Sequence, residues 1–202
     1  SVLREFPAGA LVESARILAA QSFHRCGKLA DACRRYEEIV ARGESKQQSD
    51  ALLGLAAVLL ASGEFDAAGT RLDEFIKTSP NHPSLPTASL QRARVWFERG
   101  KYDQAADLLK ETAKADQTLA DEADYWLAKC ESRKGEFASA AKRLKATVKR
   151  HPDSRLHAEL SYEYGVALYR AADYADAAKV LSRFGKEQPD HPLAAEALHL
   201  SA

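Results

Sequence analysis

The chain contains no methionine and one asparagine, Asn81. Without Met, residue 1 is not expected to be a native start, and Ser1 reads as the opening of a processed product or an excised segment. Strand-forming runs of Val, Ile and Thr are also missing, while Ala, Leu, Glu, Lys and Arg dominate. Helix is therefore the expected local structure. No uncharged apolar run approaches the roughly 20 residues needed to cross a bilayer, so no membrane span is expected. Neither charge sign is in excess, with 29 Lys plus Arg against 29 Asp plus Glu. That balance removes the electrostatic footprint of a nucleic-acid or anionic-membrane binder. Three cysteines, Cys26, Cys33 and Cys130, form no closely spaced framework and read as buried free thiols rather than a disulfide scaffold.

Catalytic patterns are missing as well. There is no Gly-rich phosphate loop, nucleophile elbow or HExxH. His24, Cys26 and Cys33 come nearest to a ligand set, but their spacing matches no zinc pattern. His82, His151 and His191 stand beside prolines and read as solvated capping or turn residues. His157 and His199 have no evident partner. The carboxylates follow solvent-facing helix positions, and none is singled out for acid–base work. The expectation is no metal, no cofactor and no enzyme.

What the sequence does contain is a repeat. GKLADAC (27–33), GEFDAAG (63–69), GKYDQAA (100–106), GEFASAA (135–141) and ADYADAA (172–178) superimpose, with starts 36, 37, 35 and 37 residues apart. Gly27, Gly63, Gly100 and Gly135 fall where a helix must reverse, and Ala172 fills that slot less comfortably. Two residues on comes a bulky plug, Leu29, Phe65, Tyr102, Phe137 or Tyr174. Then come small Ala32, Ala68, Ala105, Ala140 or Ala177, and Tyr36, Leu72, Leu109, Leu144 or Leu181 on the same face. A plug opposite a small residue lets two helices interlock. A second helical stretch precedes each turn, and Gly165 in the last one leaves room for a neighbour. Pro80, Pro152 and Pro189 follow Gly63, Gly135 and Ala172 by 17 residues and mark the joints between units.

These slots resemble the tetratricopeptide repeat (TPR). The likeness spans about Gly9 to the end, as units 9–44, 46–80, 83–115, 117–151 and 153–188 plus a partial unit, 190–202. The departures are a spacing above the usual repeat of about 34 residues, non-aromatic residues opening the first helices (Arg16, Leu52, Ser89, Asp124, Ser161), and Glu131 where a core aromatic belongs. The resemblance implies one all-α domain over residues 1–202, an α-solenoid with a right-handed superhelix of antiparallel helix pairs. Joints such as HPDSRLHAE and PDHPLAAEAL are similar to divergent repeats of bacterial envelope lipoproteins, which points to the periplasm or cell envelope. Ala202 falls in the slot of Gly165, midway along a first helix, so the array is expected to continue into a longer protein.

The family's fold implies that first helices line a concave face that binds segments of other proteins. Off the core stripe, 3.6-residue spacing places Ile17, Gln21, His24; Leu53, Ala57, Leu60; Leu90, Arg94, Phe97; Tyr125, Lys129, Ser132; and Tyr162, Val166, Tyr169. The second half mixes aromatics with cations, the usual anchors of interfaces. Arg94, Phe97, Tyr125, Lys129, Arg133, Tyr162, Tyr169 and Arg170 are the candidate binding residues. Their complement is an acidic protein or peptide segment with apolar anchors. Packing of the same residues on one another, or of the whole array on itself as a homodimer or on neighbouring domains, is the other reading. No Lys–Asn cluster for a terminal carboxylate is present.

Overall fold

A computed structural model describes residues 10–42 and 47–202. The unit boundaries expected at residues 9, 44 and 46 lie outside them. The described residues form an all-α repeat fold without a strand, built of consecutive helix pairs. The chain divides into two compact units, residues 1–99 and 100–202.

The first unit holds α1 (Ala10–Arg25), α2 (Leu29–Val40), α3 (Gln48–Ala61), α4 (Phe65–Thr78) and α5 (Leu85–Glu98). The second holds α6 (Tyr102–Ala115), α7 (Ala120–Arg133), α8 (Phe137–Arg150), α9 (His157–Arg170), α10 (Tyr174–Glu187) and the short α11 (Ala194–Leu200), with one 3-10 turn at Gln117–Leu119. Within each unit every helix packs on its sequence neighbours.

The turn slot behaves as its residue type requires. Gly63, Gly100 and Gly135 have φ of 76°, 72° and 82°, in the left-handed region. Ala172 is forced into the same region at φ 62°, the one such residue with a side chain among the described residues. Its turn closes in the same way, since Ala172 N–H donates to the Tyr169 carbonyl and Asp173 N–H to that of Leu168, both at 3.0 Å. The backbone geometry is kept and the Cβ is strained.

The small alanines Ala32, Ala68, Ala105, Ala140 and Ala177 are at most 1% exposed, and Tyr36, Leu72, Leu109, Leu144 and Leu181 at most 2%. The plugs are a correction. Leu29, Phe65, Tyr102 and Phe137 are only half-buried and Tyr174 is 60% exposed, so they cover the rim of each pair and the leucine slot fills its centre. Gly165 does make room. A Cβ there would stand 2.5 Å from Leu181 Cδ2, closer than van der Waals contact allows.

The four joints from residue 79 onward that lie wholly among the described residues share one construction. Three have six residues, 79–84, 151–156 and 188–193. In each, a side chain accepts the N–H two residues on: His82 Nδ1 from Ser84 (3.1 Å), Ser154 Oγ from Leu156 (3.0 Å) and His191 Nδ1 from Leu193 (3.2 Å). The joint after α6 has four residues, and Asp116 Oδ1 accepts from Thr118 N (2.9 Å) in the same manner. Two residues fewer in that joint account for the 35-residue spacing there, against 37 across the joints at 79–84 and 151–156. His82 and His191 are thus turn residues, and they are half-buried, with rings edge-on to Phe75 and Phe184, each at 5.2 Å. His151 differs, being the residue that closes α8. The cysteines differ too: Cys130 is buried and Cys33 half-buried, whereas Cys26, just past the end of α1, is exposed.

Candidate functional site

The fourth pair keeps Leu127 and Leu144 buried but replaces part of its apolar contact with ions. At the position of Phe75 and Phe184 in the second-helix register stands Thr147, fully buried, whose hydroxyl donates to Asp124 Oδ2 (3.0 Å). Arg143 of α8 reaches Glu131 of α7 at 2.7 Å and Asp124 at 3.2 Å. Burial alone would lower the Arg143 pKa, but Glu131 and Asp124 outweigh it and hold it above the ordinary guanidinium value. Glu131 therefore serves in the core slot through its Arg143 partner, which sequence reasoning saw only as a departure.

The other face of α7 carries Tyr125, Lys129 and Arg133, and α9 carries Tyr162, Tyr169 and Arg170. Arg133 and Arg170 each stand two residues before the turn slot, so they are equivalent positions on successive first helices. The two helices enclose a cleft of about 170 Å³ lined by Lys129, Ser132, Arg133, Glu163, Val166, Ala167 and Arg170. Within it the Lys129 ammonium donates to Glu163 Oε1 (3.3 Å) and Tyr125 OH (3.4 Å), and lies 5.3 Å from the Tyr125 ring centre and 5.8 Å from that of Trp126. Burial works to lower the lysine pKa, yet Glu163 and Tyr125 together hold it above the usual value, so this cation stays charged. Burial pushes the Tyr125 phenol up against the opposing pull of Lys129. At the cleft mouth the Arg170 guanidinium sits over the Phe137 ring at 5.8 Å. Tyr169, 41% exposed, meets Tyr174 edge-on at 5.4 Å.

Structure thus brings Lys129, Arg133 and Arg170 to one cleft, with Tyr125 behind the lysine and Tyr169 at the exposed end of α9. Two candidates are corrected. Tyr162 is only 7% exposed and packed 5.6 Å from Phe184, and burial, with Glu196 of α11 nearby, pushes its phenol pKa up. Phe97 is 5% exposed. The 3.6-residue stripe that was read as groove runs partly into helix contacts, and Ile17 and Leu90 are buried in the same way. Arg94, like Phe97, belongs to α5 of the first unit and is half-buried. Glu163 and Tyr174 were missed. Glu163 stands one turn before Val166, the repeat equivalent of Lys129, and a search across repeats for an opposite charge at that offset would have found it.

Among the described residues no three His, Cys, Asp or Glu side chains converge to hold a metal. No helix among them is long and apolar enough to cross a membrane.

Several solved structures share this fold. MamA residues 41 to the end from Desulfovibrio magneticus RS-1 aligns with a TM-score of 0.71 at 19% identity, over 89% of this chain and 97% of that one. A tetratricopeptide repeat protein from Parabacteroides merdae gives 0.71 at 15% identity, over 98% and 88%. YrrB, described as a TPR protein with an unusual peptide-binding site, gives 0.64 at 18% identity, over 97% and 95%. Comparison with curated proteins gives no match. Family models described as Tetratricopeptide repeat match residues 15–83 and 131–192 in one case and 96–158 in the other, and the chain belongs to the tetratricopeptide-repeat family.

Proposed function

We propose that this protein is a non-catalytic scaffold that holds a segment of another protein against the α7/α9 face. The observation that carries the reading is the convergence of Lys129, Arg133 and Arg170 on one cleft beside the exposed Tyr169–Tyr174 pair. Arginine and tyrosine provide large contact area with directional donors, the composition of interface hot spots. The matching ligand is a segment with an acidic side chain for the cleft and an apolar or aromatic one for the tyrosines. Charge sets its register more than its affinity. YrrB, a relative in fold, is itself described as binding peptide.

The test is a peptide array scored with the native chain and with Lys129→Glu/Arg170→Glu. Acidic–apolar peptides should dominate the native binders and lose at least tenfold in affinity with the variant. An array indifferent to the two reversals would remove the reading.

Self-assembly is the second use, favoured by the exposure of Leu18 (61%), Tyr174 (60%) and Leu198 (42%). Sedimentation across a hundredfold concentration range decides it, and a monomer at every concentration leaves the peptide scaffold alone.

A further inference from the structure

The α7/α9 cleft stands apart from neighbouring hollows in the sign of its lining. The hollow against α6, α7 and α8 carries Asp103, Asp107, Glu131 and Glu136 with Lys110 and Lys134. That between α8 and α10 sets Lys142 and Lys145 against Asp173 and Asp176. A third pairs Arg183 with Glu187. Only the α7/α9 cleft, among these, has a cation excess: Lys129, Arg133 and Arg170 against the single carboxylate of Glu163.

The arrangement within it is specific. Glu163 takes up Lys129, so that end of the cleft is neutral and offers an anion no net attraction. Arg133 and Arg170 bring one guanidinium from each helix to the same lining as the Ser132 hydroxyl. Each guanidinium has five N–H donors in a planar fork, so Arg133 can meet a new oxyanion while keeping the contacts it has. Arg170 is steadied on the Phe137 ring rather than by a carboxylate. At about 170 Å³ the cleft is below the ~300–1,000 Å³ of pockets that take whole small ligands, and suits one head group.

We infer that the cleft between α7 and α9 is a receptor for a tetrahedral phosphate dianion, held by Arg133, Arg170 and Ser132. This deepens the proposed scaffold function and rests on it, since the phosphate would be the acidic element of the bound segment. The charge decides between candidate anions. The lining sums to two positive charges, three cations less one carboxylate. A phosphorylated side chain brings about −1.5 to −2 with three acceptor oxygens, whereas a carboxylate brings one charge and two oxygens in a plane. Two forks and a hydroxyl outnumber what one carboxylate can accept.

The experiment is an amide NMR titration of the full chain with three probes: N-acetyl-O-phosphoserine methylamide, inorganic phosphate, and N-acetyl-Asp-Asp methylamide as a dicarboxylate of matched charge. Both phosphate probes should shift the signals of Ser132, Arg133, Val166 and Arg170, at least tenfold more tightly than the dicarboxylate. Tighter binding of the phosphoserine compound assigns the source to a modified segment, and tighter binding of the inorganic ion assigns it to free phosphate. Arg133→Gln and Arg170→Gln should each weaken phosphate at least fivefold, while Arg170→Lys, which keeps the charge without the fork, should weaken it less. Circular dichroism of each variant confirms folding. A dicarboxylate as tight as phosphate overturns this inference and leaves the acidic-peptide scaffold standing. Silence from all three probes, with acidic peptides still captured on the array, overturns it in the same way.

Discussion

The second and fourth helix pairs solve one packing problem with opposite chemistry. In the second pair, α3 and α4 close on Leu52, Leu55, Leu59, Leu72 and Phe75, each no more than 6% exposed. In the fourth, α7 and α8 keep Leu127 and Leu144 buried where the second pair has Leu55 and Leu72, but set Asp124, Glu131 and Thr147 in the places of Leu52, Leu59 and Phe75, with Arg143 joining the two carboxylates. Water release and dispersion hold the first, and neither needs a directional partner. The second depends on every partner being present, because a half-satisfied ionic cluster costs more than an apolar core. The two pairs thus share their central leucines and differ in the rest of the core.

The largest way to break the comparison is Phe75→Ala. It should cost about 3–5 kcal/mol, read as a lower urea midpoint, with hydrogen-exchange protection lost in α3 and α4 before α8 and α9. Equal loss everywhere would mean that the pairs do not behave as separable neighbours. Next, Arg143→Ala strands the Glu131 carboxylate, 15% exposed, and takes one of its partners from Asp124; it should cost about 2–3 kcal/mol. Glu131→Leu combined with Arg143→Leu should cost less than Arg143→Ala, since an apolar pair replaces a charged one and Asp124 keeps Thr147 and Arg150. A double variant worse than the single would show that the ions bring net stability.

A smaller effect comes from Ala172→Gly. It relieves a left-handed φ of 62° and should stabilise by about 0.5–1 kcal/mol, the strain removed exceeding the added freedom of the unfolded chain. The melting temperature should rise by a few degrees, and Gly135→Ala should lower it.

The smallest is a matter of pH. Burial, ahead of any neighbouring charge, pushes the Cys130 thiol from about 9 up to about 11. Folding therefore favours the protonated form, and this contribution is complete below pH 9 and declines as pH rises toward 11. Alkylation at pH 8 should modify exposed Cys26 quickly and Cys130 only after urea unfolding. Rapid native labelling of Cys130 would contradict its burial.

The fold was legible in the sequence because its determinants are local and periodic. A glycine at four of the five reversals, an alanine six residues into each motif copy and a leucine or tyrosine one turn later recur without reference to distant residues. Less was legible at the site. Lys129, Arg133 and Arg170 were found because solvent-facing positions follow the helical period. Tyr162 and Phe97 were misjudged because the same period cannot tell a free face from one covered by another helix, as α10 and α11 cover Tyr162. The Arg143 cluster was illegible for another reason: ion pairing across two helices leaves no periodic mark, only an apparent misfit at Glu131.

The joints carry a further consequence. An imidazole, a hydroxyl and a carboxylate all perform the same act there, accepting an N–H two residues ahead. A task that three unrelated side chains can perform imposes little on the genetic text, so the joints can drift in letters and even by two residues in length while the helices they connect keep their register. The repeat period becomes an adjustable quantity, written in the connectors rather than in the core.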